Sequence, residues 1–158
     1  MSELAPLDAW CTGLLENLQP AQRRALAREM ARRLRESQAK RIAAQLNPDG
    51  SAFEPRKTQA RGKRGAIRRK MFSKIRTTKW MKMESTPDSA IVTFAAGVQA
   101  MAKVHQHGLR DRVNRRRDKY GSKGPEVTYP QRQLLGFTQH DVDMVGSLML
   151  NHLVKGAP

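Results

Sequence analysis

The sequence has a single cysteine, Cys11, among 158 residues, so no internal disulfide can form and a reducing compartment suits it. Aromatic residues make up only 5% of the chain, and no Phe/Tyr-rich strand interleaves its basic run. That argues against a platform on which single-stranded bases stack. No run of 18 apolar residues occurs, which excludes a membrane-spanning helix. Met1-Ser2-Glu3-Leu4-Ala5 offers no basic stretch leading into an apolar one, so no secretory signal is expected. Acidic residues are scarce as well: 14, against 30 Lys plus Arg, for a formal charge of +16. Disulfide scaffolds, fibrous proteins and membrane proteins drop out on these counts. The apolar share is still 39%, enough at this length for one domain with its own core.

The charge that is present is concentrated. Residues 20–82 hold 20 Lys or Arg against only Glu29, Glu36, Asp49 and Glu54, and Pro55 to Met83 holds 12 bases and no acid. The rest of the chain is balanced, with 10 of each. A block of one sign repels itself unless water or an anionic partner neutralises it. The partner classes are nucleic acid, an acidic membrane surface and acidic protein surfaces.

Periodicity predicts an α+β fold: a long basic helix and shorter helices packed on a small, mainly antiparallel sheet. A first helix is expected near Leu7–Leu18, with Cys11 buried among its leucines. A second runs from about Pro20 to Leu46, with Leu26, Met30, Leu34, Ile42 and Leu46 as its apolar stripe and arginines over the remainder. Asn47-Pro48-Asp49-Gly50 stops it with turn chemistry. Ser51 to Gly65 reads as a loop, Ala66 to Arg76 as a helix, and Thr77–Met83 with Ala90–Ala96 as a hairpin. Gly97 opens a helix through His105, with Val98, Met101, Ala102 and Val104 inward and Gly108 as its C-cap. Arg110 to Gly124, including Arg115-Arg116-Arg117, reads as a mobile basic loop, and Glu126–Tyr129 as a short strand. Thr138 caps the last helix with Asp141 three residues on, and Val142, Val145, Leu148, Met149 and Leu153 form its apolar face. Residues 155–158 read as a frayed tail.

A search for chemistry finds little. Gly62-Lys63-Arg64-Gly65 lacks the Lys-Ser/Thr that completes a phosphate loop, and no Gly-x-Ser-x-Gly elbow occurs. Asp141 and Asp143, two apart on a helix, point to different faces. His105-x-His107 has no Cys or carboxylate close by in sequence, so no metal site is expected. No catalytic residue and no cofactor are assigned. Basic helices could grip phosphate without reading sequence, so a small nucleic-acid-binding module without enzymatic activity stays open as the alternative function.

Four strings then matter together. They are Pro48-Asp49-Gly50-x-x-Phe53-x-Pro55, Arg69-Lys70-Met71-Phe72-x-Lys74-Ile75-Arg76, Val104-His105-Gln106-x-Gly108-Leu109-Arg110-Asp111-Arg112, and Leu134-Leu135-Gly136-Phe137-Thr138-x-x-Asp141. In that order and spacing they resemble the phage virion-morphogenesis family over nearly the whole chain. Family members often carry Pro-Ala-Arg-Pro where this chain has Pro130-Gln131-Arg132-Gln133, and residues 113–124 look longer than usual.

The resemblance implies a single tail-completion domain over residues 1–158 and a structural, non-enzymatic virion protein of contractile-tailed phages. Such a protein completes the head-proximal end of the tail and supports stable head–tail joining. The implied partners are tail-tube and neck proteins and further copies in a ring, expected to be a hexamer, with nonspecific contact to virion DNA; no membrane is involved. It would reside in the virion tail after assembly in the host cytoplasm. Pro48, Asp49, Gly50, Phe53, His105, Gly108, Leu135, Gly136 and Phe137 are expected to be structural, with Phe53, Phe72 and Phe137 in the core. A hexamer would carry about +96 formal charges, which requires acidic neighbours. Arg64, Arg68, Arg69, Lys70 and Lys74 are therefore expected to face an acidic partner, and Arg115, Arg116 and Arg117 to order on docking.

Overall fold

The computed structural model describes residues 5–56, 70–112 and 124–154, with side chains from residue 10 onward. In chain order the elements are α1 (Ala5–Asn17), α2 (Pro20–Ala44), β1 (Met81–Ser85), β2 (Ala90–Phe94), α3 (Ala96–His107), β3 (Arg110–Arg112), β4 (Glu126–Thr128) and α4 (Gln139–Val154). The class is α+β, but the strands form two separate two-stranded sheets, β1–β2 and β3–β4, in place of one. The residues group into two compact units: Met1–Ser37 with Met81–Thr93 and Phe137–Pro158, and Gln38–Trp80 with Phe94–Gly136. Each unit draws on separate stretches of chain, so neither can be cut out as one fragment.

In the first unit α1 lies against α4, and their last turns are tied. Asn17 Nδ2 donates to the Leu153 carbonyl at 3.3 Å and His152 Nε2 donates to the Asn17 carbonyl at 3.1 Å. α1 turns Gly13, Leu14 and Asn17 inward, which leaves Cys11 exposed, contrary to expectation. Ala27, Ala31, Leu34 and Met81 are buried. So is Asp141, which starts α4 as one half of a capping box. Its Oδ2 accepts from Thr138 N–H at 3.0 Å and from Thr138 Oγ1 at 2.9 Å, and its own N–H donates to Thr138 Oγ1 at 3.1 Å. Val142 and Met149, expected inward, are exposed; Val145, Leu148 and Leu153 are half-buried.

In the second unit Ile42, Phe53, Ile75, Phe94, Ala102, Val104 and Leu134 make the apolar core. α2 ends here at Ala44, two residues before the expected stop, because Gln45 takes a left-handed conformation (φ 63°). Gln45 N–H donates to the Ile42 carbonyl and Leu46 N–H to the Arg41 carbonyl, the paired bonds of a Schellman ending. The buried face of α2 also differs from the leucine stripe. Of the five expected residues only Leu34 and Ile42 are buried, joined by Ala27, Ala31, Gln38 and Arg41. Small alanines admit close neighbours, and the two polar residues are buried because they bond to backbone, as set out below.

Three further differences have local causes. The expected helix at 66–76 is, over its described part, a run of turns: Phe72 is left-handed (φ 59°) and cannot continue a helix. Bonds from Ile75 N–H to Phe72, Thr77 to Lys74 and Trp80 to Thr77 carry those turns on to residue 80, so β1 starts only at Met81. Arg110–Arg112 is a strand, not loop, paired antiparallel to β4 with Arg112 opposite Glu126. The side chains across this ladder pair by charge and show no apolar alternation: Glu126 accepts from Arg110 Nε at 3.0 Å and from Arg112 Nη2 at 2.9 Å.

Two glycines give opposite expectations. A Cβ on Gly136 would lie 2.5 Å from Cγ of Pro48, a ring fixed in its own turn, so Gly136→Ala should destabilise by roughly 1–3 kcal/mol. A Cβ on Gly146, inside α4, meets nothing within 4 Å, and Gly146→Ala should stabilise by about 0.5–1 kcal/mol. Urea midpoints of the two variants should therefore move in opposite directions.

Candidate functional site

The motif strings converge in the second unit around Gln131–Gly136, a stretch with neither helix nor strand. Its backbone groups must find partners off any ladder, and side chains supply most of them. Gln106 Oε1 accepts from Leu135 N–H at 2.9 Å while its Nε2 donates to the Leu135 carbonyl at 2.8 Å. Gln38 does the same at Gly136, accepting at 3.3 Å and donating at 2.8 Å. Asn47 Oδ1 accepts from Gln133 N–H at 2.9 Å, and Arg132 N–H donates to the His105 carbonyl at 2.7 Å. Each glutamine thus pairs with one residue as a neighbouring strand would.

The same device recurs once more. Gln45 Oε1 accepts from Met71 N–H and its Nε2 donates to the Met71 carbonyl, both at 2.9 Å. This fixes the strained turn at Phe72 and gives Gln45 a reason for its unfavourable backbone. Between these anchors the Pro48-Asp49-Gly50 turn closes tightly. Gly50 supplies φ 85°, Asp49 Oδ1 accepts from Ser51 N–H at 2.9 Å and Oγ at 2.6 Å, and Asn47 N–H donates to the Ser51 carbonyl at 2.8 Å. The Pro48 ring then packs on Gly136. Gly108, left-handed at φ 64°, ends α3 beside Gln131.

Two buried arginines complete the frame. Arg41 Nη1 donates to the carbonyls of Leu46 (2.9 Å) and Gln133 (2.8 Å), and its Nη2 to Leu134 (2.9 Å) and to Gln38 Oε1. Arg132, 3% exposed, donates from Nε to the Glu54 carbonyl at 2.7 Å and from Nη2 to the Pro55 carbonyl at 3.1 Å. Burial pulls its pKa below the usual guanidinium value. Its Nη1 lies 3.2 Å from His105 Nδ1. Arginine can only donate, so His105 Nδ1 accepts and the ring proton sits on Nε2. The ring stands edge-on between Phe72 (4.9 Å) and Tyr129 (5.1 Å), and Phe72 in turn meets Phe53 at 5.9 Å. Burial first, then the charges of Arg132 and Arg56, hold the His105 pKa down to about 4. His107, two residues on, is exposed.

The other expected residues fall as follows. Lys70 is exposed and donates to the Ala43 carbonyl at 3.2 Å; Lys74 is exposed. Arg64, Arg68 and Arg69 lie outside the described residues, as do Arg115, Arg116 and Arg117, although β3 and β4 join the two ends of that stretch. Phe53 is buried and Leu135 half-buried. Phe137 corrects the expectation of a core residue: it is 68% exposed. The backbone is fixed on either side of it, at Gly136 by Gln38 and at Thr138 by Asp141, and the side chain is turned out to solvent. Sequence reading missed Gln38, Arg41, Gln45, Asn47, Gln106 and Arg132. A signal existed for three, since Gln38, Arg41 and Gln45 continue from Leu34 at spacings of four, three and four along the buried face of α2.

Most of the polar side chains placed in this site are spent on holding backbone, as in a structural component. The comparisons agree: the chain belongs to the phage virion morphogenesis family, whose model matches residues 2–154. Tail completion protein S of Escherichia phage P2 is 41% identical over 157 residues, which is 98% of this chain and 100% of that protein. No solved structure matches the chain significantly.

Two measurements probe the frame. Gln106→Leu strips Leu135 of both partners and should destabilise by roughly 2–4 kcal/mol, whereas Gln106→Glu still accepts from Leu135 N–H and should lose less. Because His105 is held neutral in the native state, the unfolded chain binds more protons between pH 6.5 and about 4. The stability it contributes is complete above 6.5 and falls as pH drops through that window. His105→Gln, whose carbonyl can still accept from Arg132, should flatten this part of a urea-midpoint profile relative to the parent.

Proposed function

We propose that this chain completes the head-proximal end of a contractile phage tail and supports stable joining of tail to head, as a non-enzymatic virion protein. The observation that carries the reading is the match along essentially the full length of both chains to a protein named for tail completion. On this reading residues 1–158 act as a single tail-completion domain that assembles in the host cytoplasm. It contacts tail-tube and neck proteins and copies of itself in a ring, hexameric to match the tail, with nonspecific contact to virion DNA.

The surface suits that role. Phe137, Leu150 (66%), Val154 (65%) and Leu15 (62%) are exposed, and where such residues form one patch they mark a surface that another protein covers. On α4, Val142, Met149 and Leu150 stand on the side away from buried Asp141, with open space at Gly146 between them. The basic stretch that includes Arg64, Arg68, Arg69, Lys70 and Lys74 then meets an acidic neighbour, and Arg115–Arg117 order on docking.

Reversing Arg68, Lys70 and Lys74 to Glu should leave the circular dichroism spectrum and melting temperature close to those of the parent. In a phage carrying that variant, finished tails and filled heads should accumulate unjoined. Normal titre would refute the assignment of this stretch.

A further inference from the structure

The arginines of α2 are not equivalent. Within the first unit Arg23 is paired with Asp88 at 3.2 Å. Arg32 and Arg33 are held by the helix's own acids: Arg32 reaches Glu29 at 2.6 Å and Glu36 at 2.9 Å, and Arg33 reaches Glu29 at 2.7 Å. These bonds hold the Glu29 carboxyl down to about 2, so it stays ionised near neutral pH. Three arginines are left. Arg24, Arg28 and Arg35 have no acidic partner among the described residues, and Arg24 and Arg28 are exposed.

These three share one line. At 100° per residue they fall within about 40° of each other on the helix, spread along roughly 16 Å of its axis. The row runs between the buried Ala27–Ala31–Leu34 face and the Glu29–Arg32–Arg33–Glu36 network, which shields no charge within the row itself. The whole row lies on one rigid helix, so its spacing does not depend on loop order.

We infer that Arg24, Arg28 and Arg35 form a binding row for the phosphate backbone of duplex DNA. A duplex presents about one negative charge per 1.7 Å of axis, an even line that a straight arginine row can meet in any register. Guanidinium groups grip phosphate through paired N–H donors. An acidic protein is the poorer fit, because protein interfaces draw their affinity from buried aromatic and apolar anchors, and the exposed residues of α2 that flank the row, Pro20, Ala21 and Ala25, supply no aromatic or large apolar group. No base-reading group accompanies the row, so binding is independent of sequence. This inference deepens the proposed contact with virion DNA by naming the residues that make it, and it does not depend on whether the chain completes a tail.

The test uses the full-length protein and a mixed-sequence duplex of about 30 base pairs, with anisotropy titrations repeated across a salt series. The parent should bind, and R24Q/R28Q/R35Q should bind at least tenfold more weakly at low salt. Its slope of log affinity against log salt should be shallower by about 2.7, or 0.9 for each lost phosphate contact. K40Q/K82Q/K103Q removes the same charge from exposed positions off the row and should change the slope by well under half that amount. Equal losses in the two triple variants would overturn the row in favour of diffuse charge. A parent that does not bind duplex at low salt would also overturn it, and would leave an acidic protein as the row's partner. Neither result bears on whether the variants complement tail joining, which tests the other reading separately.

Discussion

The fold of the second unit depends on glutamine side chains taking the place of a missing strand. A primary amide carries one acceptor and two donors at about the separation of a backbone N–H and C=O, so one side chain can satisfy both groups of a residue that has no ladder neighbour. Gln38, Gln45 and Gln106 each do this, at Gly136, Met71 and Leu135. Two of these sit on α2 or its C-terminal turn and one on α3, so two helix ends fix irregular chain that would otherwise bury orphaned polar groups. Leu134, fully buried in the middle of such chain, is possible only because its carbonyl is met by Arg41.

The buried arginines extend the same logic to a charged group. A guanidinium brings five donors and no acceptor, and backbone carbonyls in irregular segments are what it can satisfy. Arg41 and Arg132 together take carbonyls from residues 46, 54, 55, 133 and 134, drawing three distant stretches onto two side chains. Lysine at either position would offer a point charge with no planar fork to spread over separate segments. The neutral state of His105 follows from this arrangement. With Arg132 donating into Nδ1, a second proton there would face a cation at hydrogen-bond distance, in a half-buried slot between Phe72 and Tyr129 that solvates charge poorly.

What was legible in the sequence was whatever depends on apolar periodicity and punctuation. The four helices, the hairpin, the Asn47–Gly50 turn, Gly108 as C-cap and the Thr138–Asp141 box follow from local rules that tertiary context did not override. What was hidden depends on polar groups whose role is decided by a partner far along the chain. Gln106 and Leu135 are 29 residues apart and Gln38 and Gly136 98, and no local signal separates such a glutamine from a solvated one. Arg110–Arg112 was hidden for the same reason, since it is a strand through backbone pairing with Glu126–Thr128 and carries no apolar alternation. At Phe137 the error ran the other way: an aromatic in a motif was read as core, where fixed backbone on both sides turns it to solvent.

Charge follows a division that composition alone conceals. A net of +16 suggests one diffuse basic surface, yet most described arginines fall into kinds with different physics. Arg41 and Arg132 are structural and do not contribute a free surface charge. Arg23, Arg32, Arg33, Arg110 and Arg112 are paired with Asp88, Glu29, Glu36 and Glu126, and exposed pairs of this kind add little stability while cancelling field. Four acids, Glu29, Glu36, Asp88 and Glu126, are therefore taken up by five nearby arginines. On α2 itself, pairing by Glu29 and Glu36 leaves Arg24, Arg28 and Arg35 as bare charges held in a straight row by one rigid element, as the exposed lysines elsewhere are not.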